Sequence, residues 1–272
     1  MSAMSIKSAN LPAFSAIRES LPQADFFGQT THAILSPMQP TADKPILSVQ
    51  SIKNQCEVTE DGSKAAARIC RITGEFQQGY DHIQHFKKSV TFLGGARFKE
   101  GDPYYEKVRV LAGRIAKETG FAVITGGGPG IMEAANRGAK EVGGQSVGIT
   151  IHLPFEQKDN PYLTESIPFN FFFSRKTILT YAAEMYIACP GGYGTLDEIF
   201  EILTLMQTGK VPKVPVFLYG CDFWNPLIAY MQTVFVEKYH TISPEDLTLF
   251  KATDSDDEII EALKTVHIIK GY

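Results

Sequence analysis

The chain has little with which to crosslink itself. Its four cysteines, Cys56, Cys70, Cys189 and Cys221, are scattered over 272 residues with none at C-x-x-C spacing. Cys189 falls in an apolar run that reads as a buried strand, so a reduced, intracellular setting and a cytoplasmic location are expected. Positive charge is not in surplus either: 26 Lys and Arg stand against 30 Asp and Glu, a net charge of −4, which leaves no basic footprint for nucleic acid. No apolar run approaches the ~20 residues of a membrane span, and the N-terminus lacks a charged segment followed by a continuous apolar core, so no secretory signal is expected. The six histidines show no metal-ligand spacing with cysteine or carboxylate, and no metal is expected. No repeat or low-complexity tract follows residue 85. What remains, 44% hydrophobic and 21% charged residues, is ordinary for a globular protein of one large domain or two small ones.

The most informative stretch is Pro190-Gly191-Gly192-Tyr193-Gly194-Thr195-Leu196-Asp197-Glu198. It follows the apolar run Met185–Cys189 and leads into Leu196, Ile199, Phe200, Leu203 and Met206, whose spacing is that of an amphipathic helix. The stretch therefore turns a strand into a helix. Its glycines let the backbone approach a ligand, and the first helical N–H groups, which lack intrahelical partners, favour an anion such as phosphate. A structural alternative is a capping box in which Thr195 caps the helix and Glu198 reaches back to the Thr195 N–H. The Gly-Gly-x-Gly before the cap weighs against it, since a plain helix start needs none.

Residues 1 to about 65 mix Ser, Ala, Pro and Gln, with prolines at 22, 37, 40 and 45 interrupting any long element. They read as an irregular extension that drapes over the main domain or mediates assembly. A helix is predicted over 64–84 from Ile69, Ile72, Phe76, Tyr80 and Ile83. In the domain, residues 66–272, the chain from Ser89 onward alternates predicted strands at 89–94, 121–126, 145–151, 185–189, 214–219 and 247–251 with helices near 103–118, 130–142, 174–184, 195–208, 224–238 and 255–266. Strands separated by helices of this length need crossover connections, so the fold class is α/β: a doubly wound, Rossmann-like parallel sheet with helices on both faces. Ligands are expected at the carboxyl ends of the strands.

Those ends carry the glycines. Gly94-Gly95-Ala96-Arg97 follows the first strand, and Gly126-Gly127-Gly128-Pro129-Gly130-Ile131-Met132-Glu133 follows the second. The dinucleotide fingerprint fails because Ile131 stands at the third glycine position and no acidic residue follows to take a ribose. No Gly-Lys-Ser/Thr marks a P-loop. A smaller phosphorylated ligand, without a cofactor, fits Gly95, Gly127, Gly128 and the 190–195 turn better. Arg175 has Ile178, Leu179 and Ala182 three, four and seven residues on, so its stem lies on a buried face where a bare guanidinium is costly. Its partner is Glu198, the ligand, or another buried carboxylate. Lys176, about 100° further round the helix, has solvation as its plainer reading.

At these residues the chain resembles the Lonely Guy (LOG) family, long mislabelled as lysine decarboxylases. The resemblance rests on Pro190–Thr195 with Glu198, on Arg175-Lys176, and on Gly126–Gly128 with Gly130 and Met132. It spans about residues 67–269 and is nearest the longer, type II form. It implies a homo-oligomer, a dimer or higher, with the site near a subunit interface. It also implies a phosphoribohydrolase that splits a nucleoside 5′-monophosphate, AMP or a cytokinin riboside monophosphate, into base and ribose 5-phosphate. Arg175 and Glu198 fall on the catalytic pair; Gly191, Gly192, Gly194 and Thr195 on the phosphate loop; Lys176 on the adjacent lysine; and Glu156 on a further substrate-binding glutamate. Phe173-Ser174 replaces the usual Met-His-x before Arg-Lys, which bears on the choice of base. No lysine context suits a Schiff base to pyridoxal phosphate. The rival reading is a non-catalytic nucleotide sensor or molybdenum-cofactor carrier on the same scaffold.

Overall fold

A computed structural model describes residues 64–152 and 159–268. Residues 1–63 of the proposed N-terminal extension, and Glu156, lie outside the described residues. Helix α1 (Lys64–Ile83) precedes strand β1 (Ser89–Leu93), helix α2 (Pro103–Thr119), β2 (Ala122–Thr125), α3 (Ile131–Glu141) and β3 (Ser146–Ile151). Then come β4 (Glu165–Phe169), α4 (Phe172–Tyr181), β5 (Tyr186–Ala188), α5 (Tyr193–Gln207), β6 (Val216–Tyr219), α6 (Cys221–Tyr230), β7 (Lys251–Thr253) and α7 (Asp256–Thr265).

The seven strands form one sheet in the order β4-β3-β2-β1-β5-β6-β7, every pairing parallel. Successive residues of a strand face opposite ways, and both faces are covered. Leu93, Ile124, Ile149 and Leu218 pack with Ile178 of α4, Ile199 of α5 and Trp224 of α6 on one side. Val90, Phe92, Val123 and Ile187 pack with Val108 and Leu111 of α2, Ala134 and Ala135 of α3 and Ile259 of α7 on the other. The expected doubly wound sheet is thus present. Its chain runs outward from β1 through β2, β3 and β4, then returns to β5 on the other flank of β1. The crevice between the carboxyl ends of β1 and β5 is the switch point where such sheets hold ligands.

Three elements differ from the sequence reading. Strand β4 was not foreseen: its sequence ESIPF carries a proline and buries only Ile167 and Phe169, the pattern of an edge strand with one covered face. The strand predicted at 247–251 is instead a 3₁₀ turn, Pro244–Leu249, started by a capping box between Ser243 and Asp246, with β7 beginning two residues beyond it. The helix predicted at 224–238 starts earlier and changes winding, from α6 to a π-helical segment over Met231–Lys238. Cys70 is disulfide-bonded, which departs from the reduced setting expected from the sequence, whereas Cys189 is a buried free thiol. Among the described residues, no helix is long and apolar enough to cross a membrane.

Candidate active site

The glycine turn after β5 delivers the chain into α5 at Tyr193, two residues earlier than expected. Its N-cap is Gly192, and no side chain caps the helix. The first intrahelical bond runs from the Leu196 N–H to the Gly192 carbonyl, 3.1 Å, so the amides of Tyr193, Gly194 and Thr195 precede it and suit an anion. Thr195 sits inside the first turn, 4% exposed, and its Oγ1 would lie 2.2 Å from a Cβ at position 191. Only glycine at 191 leaves room for that packing. The capping box therefore does not form, and Glu198 is turned to another task.

The turns after β1 and β2 close onto this one. The Gly95 N–H donates to the Pro190 carbonyl at 3.0 Å, and the Gly95 carbonyl accepts from the Ile131 N–H at 3.0 Å. Gly95 thereby ties three glycine turns together at the switch point. Gly127 and Gly128 are buried and held from below. The Gly127 N–H donates to Thr125 Oγ1 (2.8 Å), while Asn160 Nδ2 donates to the carbonyls of both glycines (3.1 Å each) and to Asn136 Oδ1 (2.9 Å). Gly127 consequently has no free amide to offer a ligand. Thr125 Oγ1 also donates to Asn136 Oδ1 (2.6 Å), completing a buried polar network; the sequence offers Asn136 only a cap or a local pairing on its own helix and gives no signal for Asn160. A polar residue bonded only after folding leaves no periodic mark.

Arg175 and Glu198 meet over these turns. Arg175 Nη1 lies 3.2 Å from Glu198 Oε1, with side-chain exposures of 8% and 18%, and Arg175 Nε donates to the Ile149 carbonyl within β3, 2.7 Å. A Cβ at position 126 would come within 2.1 Å of Arg175 Nη2, so the first glycine of the β2 turn is the space the guanidinium occupies. Burial pushes the Glu198 carboxyl above the ordinary carboxylate range, and the charge and hydrogen bond of Arg175 only partly offset this.

Lys176 is brought to α5 but not left free. Its ammonium pairs with Asp197 (2.8 Å) and Glu201 (2.9 Å). Burial alone would lower its pKa, yet those two carboxylates hold it raised. The helix carrying both cations, α4, is gripped at its start by Glu75 of α1, which accepts from the Asn170 N–H (2.8 Å) and Ser174 Oγ (2.5 Å). A cavity of about 470 Å³ lined by Arg97, Gly130 and Glu133 adjoins the bound turns, and a larger one of about 710 Å³ lies between Phe98, Tyr104, Asp222 and Asp254. Neither is lined by Arg175 or Glu198. Among the described residues no group of three or more His, Cys, Asp or Glu side chains could hold a metal ion.

Comparison with known proteins points to one group. A family model described as "Possible lysine decarboxylase" matches residues 132–263. A cytokinin riboside 5′-monophosphate phosphoribohydrolase of Rhodococcoides fascians is 30% identical over 156 residues, 57% of this chain and 79% of the relative. The cytokinin riboside 5′-monophosphate phosphoribohydrolase LOG of Oryza sativa subsp. japonica is 28% identical over 158 residues, 57% of this chain and 64% of the relative. Among solved structures, the structural-genomics target TM1055 aligns with a TM-score of 0.51 at 25% identity, covering 66% of this chain and 99% of that one.

Proposed function

The chain belongs to the Lonely Guy (LOG) family, and from that membership we propose that it is a phosphoribohydrolase cleaving the N-glycosidic bond of a nucleoside 5′-monophosphate, AMP or a cytokinin riboside monophosphate. The observation that carries this reading is the buried Arg175–Glu198 pair at 3.2 Å, set beside an uncapped helix start at the sheet's switch point. The 5′-phosphate rests on the turn of Gly191, Gly192, Gly194 and Thr195, whose first helical amides and the dipole of α5 favour its charge. That grip fixes the ribose so that its anomeric carbon faces Glu198.

The C1′–N bond then breaks with its electron pair leaving on the base, through a sugar of oxocarbenium character. The Glu198 carboxylate stabilises that cation, as a preorganised charge does best in a site shielded from water. Water adds to C1′ through its oxygen, one of its protons passing to Glu198, and a proton ends on the departing base. A carboxylate held above its usual pKa is better matched to accept and return a proton near neutrality. A guanidinium is a poor proton donor, so the role of Arg175 is to orient Glu198 and stabilise charge on the leaving base. Phe172, Phe173 and Tyr193, all exposed beside the pair's helices, fit assembly with a second copy across the site.

The decarboxylase description does not suit these side chains. A Schiff-base lysine works as the neutral amine and needs a lowered pKa, whereas Lys176 is fixed in an ion pair with two carboxylates. Chromatography of AMP incubated with the purified protein tests the proposal. Adenine and ribose 5-phosphate should appear, and adenosine should be a poor substrate because it lacks the part that supplies orientation. A non-catalytic binder would return AMP intact, and equal turnover of adenosine would remove the role given to the glycine turn.

A further inference from the structure

We propose that Glu75, in α1, is a positioning residue for the reaction above: it caps the helix that carries Arg175 from outside that helix and so sets the guanidinium against Glu198. This rests on the phosphoribohydrolase reading. Helix α4 has no cap of its own. Its N-cap is Phe171, with no side-chain hydrogen bond, and no acidic residue lies in its first turn. In a capping box a Glu at the third helical position would reach back to the N-cap amide; that position is Ser174. Glu75, 7% exposed, supplies the missing carboxylate. Its Oε1 accepts from the Asn170 N–H (2.8 Å) and Asn170 Nδ2 (2.9 Å), and its Oε2 from the Phe171 N–H (3.4 Å) and Ser174 Oγ (2.5 Å).

The grip falls on the segment from which Arg175 hangs. Ser174 directly precedes it, and the first intrahelical bond of α4 runs from the Arg175 N–H to the Phe171 carbonyl at 3.2 Å. Loss of the carboxylate leaves the part-buried Asn170 and Phe171 amides and the buried Ser174 hydroxyl without this acceptor, and the turn has to move to recover one. Arg175 moves with it, away from a partner it reaches only at 3.2 Å. Helix α1 lies outside the residues matched by the family model, so an element preceding the matched region sets the geometry of a side chain inside it.

The test uses the full chain and AMP. Glu75→Gln should lower kcat about tenfold or more while changing KM less than twofold, since the phosphate turn on α5 is untouched. The acid limb of the kcat profile should also move to higher pH. Of the charged groups around Glu198, Arg175 and Lys176 hold its pKa down and Asp197 pushes it up, so retreat of Arg175 raises it further. A purely structural role would lower the melting temperature and leave that limb in place. If Glu75→Gln does not fold, Ser174→Ala, which deletes one donor, should give a smaller fall in kcat with the limb moved the same way. Folded variants with wild-type kcat and an unmoved limb would overturn the proposal alone; wild-type protein that leaves AMP intact would overturn it together with the reaction.

Discussion

Glu198 is asked to carry charge in a place where burial opposes charge. Its pKa is raised by desolvation first, with Arg175 returning part of the loss, so the folded state prefers the protonated form. Stability from that preference is complete below the pKa of a free glutamate and is lost as pH rises through the higher folded value. Where it is ionised, the carboxylate is therefore held in place by the fold rather than holding it. Glu198→Gln keeps an acceptor for Arg175 Nη1 and removes the charge. Its melting temperature at pH 7 should stay within a few degrees of wild type, while turnover of AMP falls about 100-fold or more. Unfolding of the variant, followed by circular dichroism, would show that the pair is structural. Arg175 could be anticipated because a cation whose helical neighbours are Ile178, Leu179 and Ala182 has to find a buried partner. Lys176 could not be assigned in the same way: whether its ammonium meets a phosphate or a carboxylate depends on the rotation of α5, which no local pattern in α4 records.

At the scale of elements, the site depends on turns being held rigid from behind. The β2 turn has its carbonyls fixed by Asn160, in the segment leading to β4, and Asn160 is 5% exposed. Asn160→Ala would leave the Gly128 carbonyl without its donor, whereas the Gly127 carbonyl keeps the Asn160 N–H (2.9 Å) and Asn136 Oδ1 keeps Thr125 Oγ1 (2.6 Å). About 1–3 kcal/mol of stability should be lost, since a buried acceptor left unpaired is costly. Urea unfolding would show it as a lower midpoint at unchanged slope, and an unchanged midpoint would mean that other donors replace the amide. The same contrast governs what could be read from the sequence. Central strands such as β1, all five residues buried, announce themselves as apolar runs, and the helices by their spacing. Edge strand β4 escaped because pairing on one side and cover on one face need only Ile167 and Phe169 to be apolar. The switch at Pro244 escaped because a run ending in Leu247 and Leu249 looks like a strand until the Ser243–Asp246 capping box is weighed with it. The polar network behind the glycines joins residues 11 to 33 positions apart, and contacts of that kind follow from the fold and not from any window of sequence.

Across the whole molecule, strand order decides where the chemistry sits. The first strand lies in the middle of the sheet, so Gly95 after β1 and the 190–195 turn after β5 become neighbours only when both flanks are docked. Half of the proposed site thus lies early in the chain and half in the later turn at 190–195. The chain's single tryptophan reports on this junction. Trp224 is fully buried and its Nε1 donates to the carbonyl of Ala188, the last residue of β5, at 3.0 Å. Its fluorescence therefore follows the packing of α6 against the centre of the sheet, whereas far-ultraviolet circular dichroism follows helices on both faces and both flanks. If the continuous sheet unfolds as one unit, the two signals should share a single urea midpoint. A Trp224 transition preceding the loss of helix signal would show that the β5-β6-β7 flank opens on its own. In that case binding of ribose 5-phosphate should disappear with the fluorescence change and not with the later one, because the turn proposed to hold phosphate belongs to the flank that opens.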